Sequence, residues 1–168
     1  MHRTRRITIM AVLIAIGVLG SQFLWFPAGI AKAYPVQHAV NILAAVTLGP
    51  IPAVTIAFMI GLIRNLFGLG SLLAFPGGMI GALLAGYLYQ KYGKIGWAAF
   101  GEMVGTGIFA SLVAVPFAKV FMGTSFGALF FFPSFLTSSI SGALIGVFIV
   151  SRMKSANLLK QIEVSRLK

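Results

Sequence analysis

The sequence has no cysteine and no aspartate, and its only acidic residues are Glu102 and Glu163. Without cysteine, disulfides and thiolate metal sites are excluded. One histidine and one glutamate inside apolar segments, His38 and Glu102, are too few ligands for a metal site, so neither a metal nor any other cofactor is expected. Charge of either sign is scarce: 9% of the 168 residues are charged against 59% hydrophobic, a balance that no ordinary soluble domain has. Uncharged runs cover residues 7–31, 33–63, 65–90 and 120–151. Each is at least as long as the roughly 20 residues that cross a bilayer. The chain therefore reads as an integral membrane protein.

What charge there is has one sign and one kind of place. The formal net charge is +11, which in a soluble protein would suggest nucleic acid. Here the basic residues cluster at the ends of apolar runs, where membrane topology explains them and no nucleic-acid partner is needed. Arg3, Arg5 and Arg6 before an apolar run also resemble a signal peptide, but the run is too long and lacks a clear small-residue cleavage site, so it reads as a retained helix.

Breaks at Pro27, at the Gly49-Pro50-Ile51-Pro52 turn, at 68–76, 92–94 and 122–125 divide the chain into six helices, about 7–26, 35–49, 51–67, 76–91, 95–118 and 127–152, with a basic tail at 153–168. The expected architecture is one all-α membrane domain over 1–168, a compact bundle of six transmembrane helices in the cell membrane with both termini cytoplasmic. The second helix is short for a span and is alternatively a half-helix. Six crossings put ten basic residues inside and only Lys32, Arg64 and Lys119 outside, whereas five would expose a basic terminus. Small residues recur four apart, as in Gly77, Gly81 and Ala85, in Gly101 and Gly105, and in Gly142 and Gly146, which lets helix backbones approach closely. Ala11 and Ala15 form one such pair on an otherwise bulky first helix, a candidate docking face for another membrane protein.

Ionisable and amide side chains at membrane depth are costly and often mark a site. Helix 2 offers Gln37, His38 and Asn41; helix 3 ends in Arg64 and Asn65; helix 5 carries Glu102 and Thr106. With helix 2 entering from the outside and helix 3 leaving there, His38, Asn41, Arg64 and Asn65 fall in the outer half and are expected around one cavity. Each has a plainer reading: Arg64 snorkels to outer headgroups, His38 makes an interior hydrogen bond, and Glu102 pairs for structure alone. An Arg64–Glu102 ion pair requires both long side chains to reach toward each other. Ser134, Thr137, Ser138 and Ser141 share one face of helix 6, where hydroxyls usually bond back to their own helix. Trp25, Tyr34, Phe75 and the run 130–132 gather near the outer loops as an interfacial belt, some of them available to stack on a flat ligand.

No GxxxxGK[ST] phosphate loop is present, so this chain does not hydrolyse ATP by that route. The segment "SSISG" lacks a glycine before its serine, and His38 is the only histidine in a span, which disfavours intramembrane proteolysis. The chain reads as a non-enzyme. A proton-coupled carrier titrating Glu102 remains open, against the small size and the absence of a convincing inverted repeat.

The segments "FPAGIAKAYPVQHAVN" (26–41), "LGPIPA" (48–53) and "RNLFGLGSLLAFPGGMIGALLAG" (64–86) resemble the ThiW-type substrate-binding subunits, or S components, of energy-coupling factor (ECF) transporters of prokaryotes. The likeness is detailed over the first half of the chain, and rests on length, hydropathy and helix count over the second. It implies capture of a vitamin or precursor outside the cell, here the thiazole precursor of thiamine, hydroxyethylthiazole. It also implies partners: a shared transmembrane coupling subunit, contacted through Ala11 and Ala15, and two cytoplasmic ATPases. The pocket so implied lies under loops 27–34 and 68–75, with a ring against Phe75, Tyr34 or Trp25 and polar contacts from Gln37, His38, Asn41, Arg64 or Asn65.

Overall fold

The computed structural model describes residues 3–28, 31–123 and 126–159. The rest of the basic tail, from Lys160 onward and including Glu163, lies outside the described residues. Six helices form: α1 Arg3–Phe23, α2 Pro35–Leu48, α3 Pro50–Leu66, α4 Ala74–Tyr92, α5 Ile95–Met122 and α6 Ala128–Ser155. Three of them, α1, α5 and α6, are long and apolar enough to cross a membrane. One element departs from the all-helical expectation. Over the segment read as a loop, strands β1 Phe26–Ala28 and β2 Ala31–Ala33 pair antiparallel, with Phe26 opposite Ala33 and Ala28 opposite Ala31.

The helix ends follow from proline and glycine. Proline opens α2 and α3, where a missing amide hydrogen costs nothing. Between them Gly49 sits at φ 91°, a conformation side chains resist, and so turns α2 into α3 in a single residue. Gly93 closes α4 in the left-handed conformation, its amide donating to the Tyr89 carbonyl.

The short α2 is the axis of the bundle. Twelve of its 14 residues are buried, and it packs against α1, α3, α4, α5 and α6. A helix walled in by protein need not match the bilayer's thickness, which is why it can be short. By contrast α1 fully buries only one stripe, Leu13, Gly17 and Ser21, against α2 and α3, with Ile9, Met10, Ile14 and Val18 half-buried beside it and the opposite face exposed.

The glycine columns are where backbones touch. A methyl group on Gly101 would lie 2.6 Å from the Leu84 carbonyl oxygen of α4, and one on Gly142 would lie 2.5 Å from the Pro35 carbonyl oxygen of α2. These contacts set α5 on α4 and α6 on α2 at distances that lipid-facing packing rewards. Midway, α5 widens into a π-helical stretch, Gly105–Ala110, of the kind often found at functional sites. It begins where Gly105 meets the backbone of Gly81.

Candidate functional site

The sequence leaves α2 with polar side chains on its α3 and α5 sides, and those side chains organise the interior. His38 and Asn41 turn toward Glu102 of α5, which is fully buried. His38 Nδ1 lies 2.7 Å from Glu102 Oε1, and Asn41 Nδ2 donates to the same oxygen at 2.9 Å and to the Gly78 carbonyl at 3.1 Å. Those two acceptors fix which way the Asn41 amide faces. Where Glu102 is ionised it only accepts, and the proton of this bond then sits on His38 Nδ1. Thr106, at the start of the π-helical stretch, donates to the Gly77 carbonyl at 2.8 Å. Three helices, α2, α4 and α5, are thus joined through polar groups at one level.

A second knot forms where α3 ends. Arg64 is 1% exposed. Its Nη1 donates to Gln37 Oε1 at 2.6 Å, its Nη2 reaches the Leu69 carbonyl at 3.3 Å, and its guanidinium lies 3.8 Å over the Tyr34 ring. Arg64 and Glu102 therefore take different partners: Glu102 holds His38, and Arg64 holds Gln37. Asn65 faces away from both, donating to the Gly61 carbonyl at 2.8 Å and the Ser71 carbonyl at 3.1 Å, so that it ties down the loop 67–73.

Between these knots and the outer covers lies a cavity of about 760 Å³. That size is ordinary for small-molecule sites. Gln37, His38, Arg64 and Thr106 line its wall, with Trp25, Lys32 and Tyr34 from the hairpin side and Phe130, Phe131 and Phe135 from α6. The hairpin is clamped to α6. Tyr34 N–H donates to Ser138 Oγ at 2.7 Å, and Ser134 Oγ–H donates to the Ala28 carbonyl at 2.6 Å. Thr137 and Ser141 bond back within α6 as hydroxyls usually do, whereas Ser134 and Ser138 do not.

Of the residues singled out from sequence, Trp25, Tyr34, Gln37, His38, Arg64 and Thr106 meet at the cavity. Asn41 and Glu102 stand behind its wall and are fully buried. Asn65 braces the loop, and Phe75 packs on Phe58 of α3 at 5.5 Å between ring centroids, outside the lining. Lys32 and Phe135 line the cavity without having been singled out. The lysine had been read as a topological charge, and Phe135 carries no signal beyond its position one turn from Phe131. Ala11 and Ala15 are exposed on α1, on the side opposite the buried Leu13 and Gly17.

Residues 7–156 match the family of the thiamine-precursor transporter protein ThiW. The chain belongs to the ThiW family. No curated protein matches it. A ThiW protein is a membrane protein of transport, with a small thiamine precursor as its cargo. The cavity has aromatic faces and, on one wall, hydrogen-bonding groups, the usual makeup of a small-molecule site.

Proposed function

We propose that this ThiW protein is the substrate-capture subunit of an ATP-driven ECF importer, holding the thiazole precursor of thiamine, hydroxyethylthiazole or a close relative, in the cavity under the hairpin. The observation that carries this reading is the cavity itself, in which two buried polar atoms, Ser21 Oγ and Arg64 Nε, have no partner among the described residues. Buried donors left unanswered are costly, and a bound ligand with acceptor atoms answers them. Phe131 and Phe135 would flank the ring, with Trp25 and Tyr34 closing the hairpin side; Gln37, His38 and Arg64 would meet its nitrogen and oxygen atoms; Asn41, Glu102, Thr106 and Asn65 would hold those side chains and the covering loop in place.

The bundle would cross the membrane six times with both termini cytoplasmic. The ten-to-three distribution of basic residues supports this orientation, in which the cavity end would face outward. Energy would come from a transmembrane coupling subunit and two ATPases. Helix α1 would meet that subunit, because only 17% of its apolar window is buried and Ala11 and Ala15 leave a shallow lane on its outer face. The test is uptake in cells that express the whole assembly, alongside binding to the purified chain. Ala11→Trp or Ala15→Trp should abolish uptake and leave binding intact; uptake at the wild-type rate in both variants would refute the docking face.

A second reading, a proton-coupled carrier, is favoured by one observation, the buried His38–Glu102 pair at 2.7 Å. It requires liposomes containing only this chain to accumulate the ligand under a pH gradient, and Glu102→Gln to stop them. The capture reading requires no accumulation without the partners and ATP.

A further inference from the structure

Arg64 presents a problem that hydrogen bonds alone do not solve. Its side chain is 1% exposed, yet every group on it is neutral: the Gln37 amide oxygen, the Leu69 carbonyl and the Tyr34 ring. Among the described residues no carboxylate lies within 4.0 Å of it, because the only described acid, Glu102, is engaged by His38. Buried charges are normally paired, since desolvating a cation without a counter-charge is expensive. Arg64 Nε, moreover, has no hydrogen-bond partner among the described residues, and the residue lines the cavity.

The other charge in the described lining has the same sign. Lys32 stands at the hairpin with its ammonium 3.8 Å over the Trp25 ring, and among the described residues no aspartate or glutamate lines the cavity. The two aromatic faces on the hairpin side, Trp25 and Tyr34, are each covered by a cation of the protein. A site of this kind repels thiazolium and other positively charged rings. It attracts a ligand that brings negative charge to Arg64.

We propose that the cavity contains an anion subsite built on Arg64 and assisted by Lys32, and that the cargo is recognised as an anionic heteroaromatic, the phosphate monoester of a thiazole alcohol, ahead of the neutral alcohol. The inference rests on the cavity being the capture site. A phosphate monoester carries between one and two negative charges near neutral pH and offers three acceptor oxygens, so it supplies both the missing counter-charge and the missing acceptor for Nε. The heteroaromatic ring would lie toward Phe131 and Phe135, which carry no charge over their faces.

The test uses the purified full chain in detergent free of phospholipid and phosphate, so that no lipid headgroup competes. Four probes are titrated by calorimetry: hydroxyethylthiazole, its phosphate monoester, thiamine and inorganic phosphate. The monoester should bind about tenfold or more tighter than the alcohol, the step expected when a hydrogen bond to a neutral group becomes one between charged groups. Thiamine and inorganic phosphate should bind more weakly than the monoester. Gln37→Glu keeps the shape of the Arg64 partner and gives the guanidinium a counter-charge from the protein itself. In that variant the ratio of the two dissociation constants should collapse toward one. An alcohol that binds as tightly as the monoester, inorganic phosphate that binds as tightly as the monoester, or a ratio unaffected by Gln37→Glu would each overturn the anion subsite while leaving capture standing. No binding of any thiazole probe would overturn the capture reading and the subsite together.

Discussion

Removing the Glu102 carboxylate should loosen the bundle at its centre, and the size of the effect can be worked from the contacts. Oε1 receives His38 Nδ1 at 2.7 Å and Asn41 Nδ2 at 2.9 Å, in a position with no exposure. Glu102→Ala leaves both donors unanswered. The other Asn41 amide hydrogen stays with the Gly78 carbonyl, and the Thr106 hydroxyl, which also reaches Oε1 at 3.3 Å, keeps the Gly77 carbonyl at 2.8 Å, so two donors are left orphaned. Each costs about 1–3 kcal/mol when buried. Losing the carboxylate also removes its own desolvation cost, which offsets part of that sum; breaking a buried pair by deleting one partner typically costs about 3–5 kcal/mol. We expect about 3 kcal/mol, equivalent to a fall in Tm of roughly 6–12 °C for a chain of this size. Glu102→Gln keeps one acceptor oxygen and should cost less, about 1–2 kcal/mol, the difference between charged and neutral hydrogen bonds. Thermal unfolding in detergent, followed by tryptophan fluorescence, reads both. In a double-mutant cycle with His38→Ala, the combined loss should be smaller than the sum of the single losses, because the second deletion removes a donor already orphaned. A Tm for Glu102→Ala within about 2 °C of the wild type, or strict additivity in the cycle, would refute the claim that this pair joins α2 to α5.

Two glycines of α5 should behave in opposite ways. Gly101→Ala drives a methyl group against the Leu84 carbonyl and should destabilise by about 1–3 kcal/mol, whereas Gly96→Ala meets nothing within 4 Å and should raise Tm slightly through helix propensity. Ser138→Ala removes the acceptor that holds Tyr34 N–H. It should cost about 1 kcal/mol and speed ligand release in stopped-flow fluorescence, because the hairpin that carries Trp25 and Lys32 is less firmly seated. Asn65→Ala frees the loop 67–73 from its anchor at the Ser71 carbonyl and should weaken binding several-fold without altering which ligand is preferred, as a residue outside the lining must.

How much of this was legible in the sequence depended on the kind of signal. Polar residues in apolar runs announce themselves, so Gln37, His38, Arg64 and Thr106 were found by composition alone and do meet at the cavity. Partner choice was harder. Heights along separate helices allow an Arg64–Glu102 pair only if both side chains reach toward each other and name no other mate for Glu102; the rotation of α2 about its axis decides, and it turns His38 and Asn41 toward Glu102. Phe75 and Asn65 sit beside the cavity in sequence yet face away from it, since a loop end gives no periodicity from which to read a direction. Strands of three residues fall below what alternation can reveal, which hid the hairpin; no residue pattern foretells the π-helical stretch at Gly105. The serines at 134 and 138 were read as backbone-bonded hydroxyls, and only the position of the hairpin explains their turning outward to it.

The measurement that bears most directly on the central claim is calorimetry of the purified chain alone, in detergent and with no ion gradient, against hydroxyethylthiazole and its phosphate monoester, repeated with Arg64→Lys and His38→Gln. Capture in the cavity predicts saturable binding of one ligand per chain, weakened at least tenfold in each variant, with unfolding temperatures that show both variants still folded. Absence of saturable binding to either compound, or binding that is indifferent to both substitutions, would contradict it.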